Sequence, residues 1–299
     1  MRRWLRGLAL GAVAALAATG CSTTPTGTDG DLVDDWTAIG TPVAFVPEAG
    51  VCHSHAQEVG YLSAYTPVGC DSSHRVETLH VGTLSDAHAA GGTPPAVDSK
   101  AMRAARAECD REAGRALGAD WRTGRIGLAV VFPSPDAWTG GSRWFRCDAS
   151  ELRAFDESGV VLRTASLKGA LTGDSPLRHR CFNPKLKASD ITEMVAVSCT
   201  KKHTAEFVGV WQAPDTSYAA FRKAGERTHK ACLKVIARYA KVPDDGNIRY
   251  RAGTIYYHPF EREWSSGNRG VQCFLWLSGK NLTRSVKGAG TRGLPINYR

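Results

Sequence analysis

The chain has 299 residues, 42% of them hydrophobic, with nine cysteines and a formal net charge of +9. That length is long for one domain and natural for two of about 120 residues each. Beyond the first twenty residues no stretch is apolar enough for a helical membrane span.

Arg2, Arg3 and Arg6 form a positive n-region, and Leu8 to Ala18 is a short apolar run. Small residues, Ala18-Thr19-Gly20, lead into Cys21. This is the layout of a secretory signal and, more narrowly, of a bacterial lipoprotein signal over residues 1–20. Cys21 is then the expected lipidation site, and the mature protein sits on the outer face of the cytoplasmic membrane, held by acyl chains. Residues 21–44 are rich in Thr, Gly, Asp and Pro and are expected to be a flexible tether.

Eight cysteines remain after Cys21. An even set in an exported chain reads as disulfides before metal ligands. None forms a C-x-x-C pair, so zinc-ribbon and thioredoxin readings have no support.

The eight fall into two sets of four, spaced 18, 39 and 38 in the first and 18, 33 and 41 in the second. Other residues repeat with them. Val68-Gly69-Cys70, His74 and Glu77 match Val197-Ser198-Cys199, His203 and Glu206 at an offset of 129. Pro133, Trp138, Gly141, Arg143 and Cys147 match Pro259, Trp264, Gly267, Arg269 and Cys273 at an offset of 126. Two copies argue for tandem modules rather than a solenoid.

In chain order, each copy opens on a cysteine after a turn-rich lead-in. A strand follows the second cysteine: Val76 to Leu84 in the first copy and Ala205 to Trp211 in the second. Next comes a helix. In the first copy Met102, Ala105, Cys109, Ala113 and Leu117 make the apolar stripe, with Asp98 or Ser99 as cap and Gly118 as stop. In the second copy Thr216 or Ser217 caps, and Phe221, Thr228, Cys232, Val235, Ile236 and Tyr239 continue the stripe until Pro243. Two more strands close each copy: Ile126 to Phe132 with Trp144 to Cys147, and Thr254 to Tyr257 with Val271 to Leu277. The expected fold is α+β: two tandem disulfide-stapled modules, 45–168 and 175–285, each a small antiparallel sheet covered by one helix. Residues 169–175 would join them. The preferred pairing is Cys52–Cys70, Cys109–Cys147, Cys181–Cys199 and Cys232–Cys273; four cysteines permit three connectivities per copy.

The run Cys52, Cys70, His74, Glu77, Cys109, Pro133, Trp138, Gly141, Arg143, Cys147 resembles the septum formation domain of actinobacterial envelope proteins. So does the run Cys181, Cys199, His203, Glu206, Cys232, Pro259, Trp264, Gly267, Arg269, Cys273. The resemblance covers about residues 50–280 and implies an association with septum formation in cell division, with no reaction attached. The first copy departs from the pattern with Cys-His-Ser-His at 52–55, where the second has Cys-Phe-Asn-Pro at 181–184.

Two repeated pairs are the candidates for chemistry. His74/Glu77 and His203/Glu206 have the i, i+3 spacing that shares a helix face, but the context is a strand, where such residues point to opposite faces. The expectation is a His that orders the turn and a Glu in an ion pair. Trp138 with Arg143 and Trp264 with Arg269 could stack a sugar ring or a partner side chain; packing of Trp into the core with Arg across its face is the simpler reading. The alternative function is metal binding through His53, His55, His74, His80 and His88. No G-x-S-x-G elbow, dinucleotide fingerprint or Walker loop occurs. The reading is therefore a non-catalytic binding or scaffold protein without a cofactor or metal. Residues 22–174 carry a net −7 and residues 175–299 a net +13. A basic second copy implies a protein or anionic cell-wall partner, and an exported chain does not meet nucleic acid.

Overall fold

A computed structural model describes residues 44–157 and 159–298. The expected signal segment, Cys21 and the tether up to residue 43 lie outside the described residues. The first sheet is made of β1 (Cys52–His53), β2 (Val59–Gly60), β3 (Pro67–Val68), β4 (Val76–Thr83), β5 (Ile126–Pro133) and β6 (Trp144–Glu151). Their spatial order is β2-β5-β6-β4-β1-β3. Between β4 and β5 run α1 (Asp86–Ala89) and α2 (Lys100–Leu117), and α3 (Pro135–Thr139) lies between β5 and β6. Ser99 caps α2 by accepting from the Met102 N–H, and Gly118 ends it with φ 86°.

Alternation divides the sheet faces. Phe145, Cys147 and Ala149 of β6 and Ile126 and Leu128 of β5 are buried with Ala105, Cys109, Ala113 and Leu117 of α2. The intervening residues, Arg146 and Asp148 among them, point away from the helix.

The second sheet is made of β7 (Cys181–Lys187), β8 (Asp190–Val197), β9 (Ala205–Gln212), β10 (Gly253–Tyr257) and β11 (Gly270–Trp276), in the order β10-β11-β9-β7-β8. It carries α4 (Tyr218–Lys223), α5 (Gly225–Ala240), α6 (Glu261–Ser265) and a last turn, α7 (Gly290–Gly293). Core register recurs between the sheets. Cys52 pairs with Glu77 as Cys181 pairs with Glu206, and Val130 pairs with Cys147 as Tyr256 pairs with Cys273.

The architecture is α+β with four disulfides: Cys52–Cys70, Cys109–Cys147, Cys181–Cys199 and Cys232–Cys273. Three details differ from expectation. β2 runs parallel to β5, so the first sheet is not wholly antiparallel. Each sheet carries several short helices besides the long one. The single helix expected after Ser217 is two, broken at Ala224, because Gly225 follows where a helix interior tolerates glycine poorly.

Residues 169–175 are not a free connection. Leu167, Leu171 and Leu177 are buried in the core of the first sheet. Gly169 N–H donates to the Ala116 carbonyl and Leu171 N–H to that of Leu117, which satisfies the orphan acceptors at the end of α2. No helix among the described residues is long and apolar enough to cross a membrane.

Candidate functional site

The repeated His and Glu of the second copy meet. His203 precedes β9 in a bridge with Leu282, so it is not bound by strand alternation. Its Nε2 lies 3.1 Å from Glu206 Oε1, with both side chains fully buried. His203 Nδ1 donates to the Lys201 carbonyl at 2.8 Å, which leaves Nε2 facing Glu206. Glu206 accepts three further bonds: Val286 N–H at 2.9 Å, Tyr239 hydroxyl at 2.8 Å and Ser285 hydroxyl at 2.7 Å. The expectation that these two residues point apart is therefore wrong for this copy.

In the first copy Glu77 accepts from the Ser166 hydroxyl at 2.8 Å and the Leu167 N–H at 2.5 Å. His74 bridges to Arg163 and donates from Nδ1 to the Ser72 carbonyl at 2.7 Å; its Nε2 is buried without a hydrogen-bond partner. Both carboxylates thus lock a C-terminal segment onto the sheet. Those segments share a pattern, Ser166-Leu167-Lys168-Gly169-Ala170 and Ser285-Val286-Lys287-Gly288-Ala289, which extends the repeat past its last cysteine. Reading the repeat from the cysteines alone misses it.

Cys52, Cys70 and Glu77 lie close together, as do Cys181, His203 and Glu206. Their cysteines are closed in disulfides and offer no thiolate to a metal. The first-copy histidines do not assemble among the described residues. His53 bonds Thr78, His55 bonds Ser54, His80 bonds Glu108 and His88 bonds Ser85.

Trp138 and Trp264 are 1% and 2% exposed, and their Nε1 atoms donate to the Gly91 and Thr216 carbonyls at 2.7 Å. Arg143 and Arg269 lie over the rings at 4.2 and 4.3 Å. Each guanidinium also donates to the carbonyl of its own tryptophan. The rings are covered, so neither can stack a ligand.

The open chemistry lies elsewhere. A cleft of about 620 Å³ runs between the helix-free face of the first sheet and the second copy. Gly127, Ala129, Asp148 and Ser150 form its floor; Phe155, Tyr257 and Phe260 stand in its walls. Behind the floor is a buried polar set. Thr78 donates its hydroxyl proton to Asp148 Oδ1 at 2.8 Å. Thr78 Oγ1 then accepts from His53 Nε2 at 3.1 Å, which leaves His53 Nδ1 a buried acceptor without a partner. Arg146 donates to Gln57 Oε1 at 2.7 Å. Its Nε lies 3.0 Å from Asp148 Oδ2 as an ion pair, but the N–H is not aimed at the oxygen and neither atom completes a hydrogen bond.

Burial pushes the Asp148 carboxyl up to about 6 against the pull of Arg146. Burial, with Arg146 adding to it, holds His53 neutral down to about 4. Arg122 ties the two sides of the cleft together. It is 5% exposed, pairs with Asp110 at 2.7 Å and Asp120 at 3.1 Å, and donates from Nε to Asn268 at 2.9 Å. Sequence reasoning did not find the cleft, because its walls come from positions more than a hundred residues apart.

No curated protein and no solved structure matches the chain. A family model described as septum formation matches residues 49–273 in one stretch that takes in both copies of the repeat. The disulfide frame, the buried His and Glu positions and the Trp–Arg turns all lie within that stretch, and the chain belongs to the septum formation family.

Proposed function

We propose that the protein is an exported, lipid-anchored and non-catalytic binding or scaffold protein that serves septum formation from the outer face of the cytoplasmic membrane. In this reading Cys21 carries the lipid and residues up to 44 form the tether. Modules 45–168 and 175–285 form the working body. The basic second module, within a C-terminal stretch of net +13, meets an anionic wall polymer or an acidic protein surface.

The observation that carries this reading is where the repeated residues spend their chemistry. His203, Glu77, Glu206, Trp138, Trp264, Arg143 and Arg269 are all committed to internal bonds that close turns and tails. They leave no general acid, base or nucleophile presented to a substrate. What recurs is a rigid frame, as suits a platform for binding.

The test is the position of a fluorescently tagged full-length protein in growing cells, beside a Cys21→Ala form. Enrichment at septa that depends on Cys21 is the expected result. A uniform envelope signal that Cys21→Ala leaves unchanged would end both the septal and the lipid-anchored parts of the proposal.

A further inference from the structure

Strand register sets the two copies side by side, position by position. Thr78 pairs with Asp148 where Phe207 pairs with Phe274. Ala129 pairs with Asp148 where Ile255 pairs with Phe274, and Gly127 with Ser150 where Gly253 pairs with Trp276. His53 pairs with Val76 where Phe182 pairs with Ala205. The helix-free face of the second sheet therefore carries Phe182, Phe207, Ile255, Phe274 and Trp276. The same five positions of the first sheet carry His53, Thr78, Ala129, Asp148 and Ser150.

In the second copy these side chains form a closed apolar cluster, with Phe182–Phe274 and Phe207–Phe274 ring centroids 5.4 Å apart. In the first copy they are small or polar: Ala129, Asp148 and Ser150 line the cleft, and His53 and Thr78 are buried beside them. The frame folds with phenylalanine at these positions, as the second copy shows. Replacing a buried ion pair by packed apolar residues is commonly neutral or stabilising, so folding does not call for the polar set. Asp148 and His53 also keep buried atoms without hydrogen-bond partners, Oδ2 and Nδ1, which a protein interior rarely tolerates without a reason.

We propose that this face of the first copy is a ligand site for an uncharged saccharide of about two or three sugar rings, the size such a cleft takes. Asp148 is set against Arg146 behind it, and the rest of the lining carries both signs, Arg122 and Arg125 with Asp156, Glu157 and Glu263, so the cleft favours neither a simple anion nor a cation. Asp148 lines it, nearly buried, with an Oδ2 that has no hydrogen-bond partner, beside the Ser150 hydroxyl and the Gln57 amide, whose Oε1 already accepts from Arg146. A mixed set of donors and acceptors suits hydroxyls, which both give and take hydrogen bonds. Tyr257 and the exposed Phe260 supply apolar ring faces for the C–H face of a sugar. The inference goes beyond the anchoring role and holds wherever in the envelope the protein sits.

The experiment uses the full-length chain in detergent, titrated calorimetrically with chitotriose, cellotriose and maltotriose up to about 10 mM, the weak end of measurable affinity. At least one is expected to bind saturably. Asp148→Asn, which keeps the shape of the floor, should weaken it at least tenfold. The pair Ala129→Ile and Ser150→Trp, which installs the second copy's residues, should abolish it while the thermal transition persists. If none of the three sugars binds, or if Asp148→Asn binds as tightly as the native chain, the site is not a saccharide site. Should the double variant fail to fold, Asp148→Asn decides alone.

Discussion

His179 sits among aromatic rings, 4.9 Å from Phe155 and 5.4 Å from Phe207, and burial with Arg125 nearby pulls its pKa down to about 3. The unfolded chain takes up a proton near pH 6.5, whereas the folded chain stays neutral until about pH 3. The stability this contributes at neutral pH is lost as pH falls through that window, by up to about 1.5 kcal/mol between pH 6.5 and 5. His179→Phe should flatten the acid limb of a plot of melting temperature against pH. An unchanged slope would show that His179 is not the group responsible. At this scale the sequence was partly legible. His203 and Glu206 stood out by repetition, but strand periodicity misjudged them because His203 lies in a turn, outside the alternating segment. Glu77 and Glu206 could not be paired with residues 166–167 and 285–286 from spacing alone, since chain closure over 80 to 90 residues leaves no periodic trace.

α2 and α5 are each stapled to the last strand of their sheet, by Cys109–Cys147 and Cys232–Cys273, with all four cysteines fully buried. Cys52–Cys70 closes a shorter excursion of 18 residues, with Cys70 only half-buried. Chain entropy alone puts the two first-copy bridges within ~1 kcal/mol of each other. The difference arises in packing, because Cys109 and Cys147 are part of the core and their loss leaves a cavity. Cys109→Ala with Cys147→Ala should therefore cost about 4–6 kcal/mol, and Cys52→Ala with Cys70→Ala about 2–3 kcal/mol. Urea unfolding of the two double variants would measure this, and equal costs would refute the core argument. Long elements were legible: α2 with its Ser99 cap and Gly118 stop follows from propensity and capping. The break at Ala224 was not, because the apolar stripe runs through it, with Phe221 stacked on Trp264 at 4.2 Å.

The two sheets communicate through few polar contacts, and Arg122 is central to them. It donates to Asn268 while its backbone carbonyl accepts from Gln272 Nε2 at 2.7 Å. Arg122→Ala leaves Asp110 and Asp120 without their cation and removes the bridge, at a cost of about 3 kcal/mol. Calorimetry of the variant should show a broadened or split transition in place of one cooperative step. A sharp single transition at the native temperature would mean the sheets are coupled by apolar packing alone. How the copies meet was the least legible part of the sequence. A repeat reports what the copies share, whereas the cleft arises where they differ, at His53, Thr78, Ala129, Asp148 and Ser150, and from contacts that neither copy contains by itself.

The tails that seat Glu77 and Glu206 also impose an order on biosynthesis. A chain synthesised from its N-terminus delivers Ser166 and Leu167 before the second copy has emerged, so the first carboxylate is satisfied early. Glu206 waits for Ser285 and Val286, 79 and 80 residues further on. Until then the second copy holds a polar group it cannot bury cheaply. A protease cut between the exposed Thr283 and Arg284 would return it to that condition. The segment that carries Ser285 and Val286 thus acts as a latch: joined to the last strand it closes the second copy; severed, it leaves Glu206 without these partners.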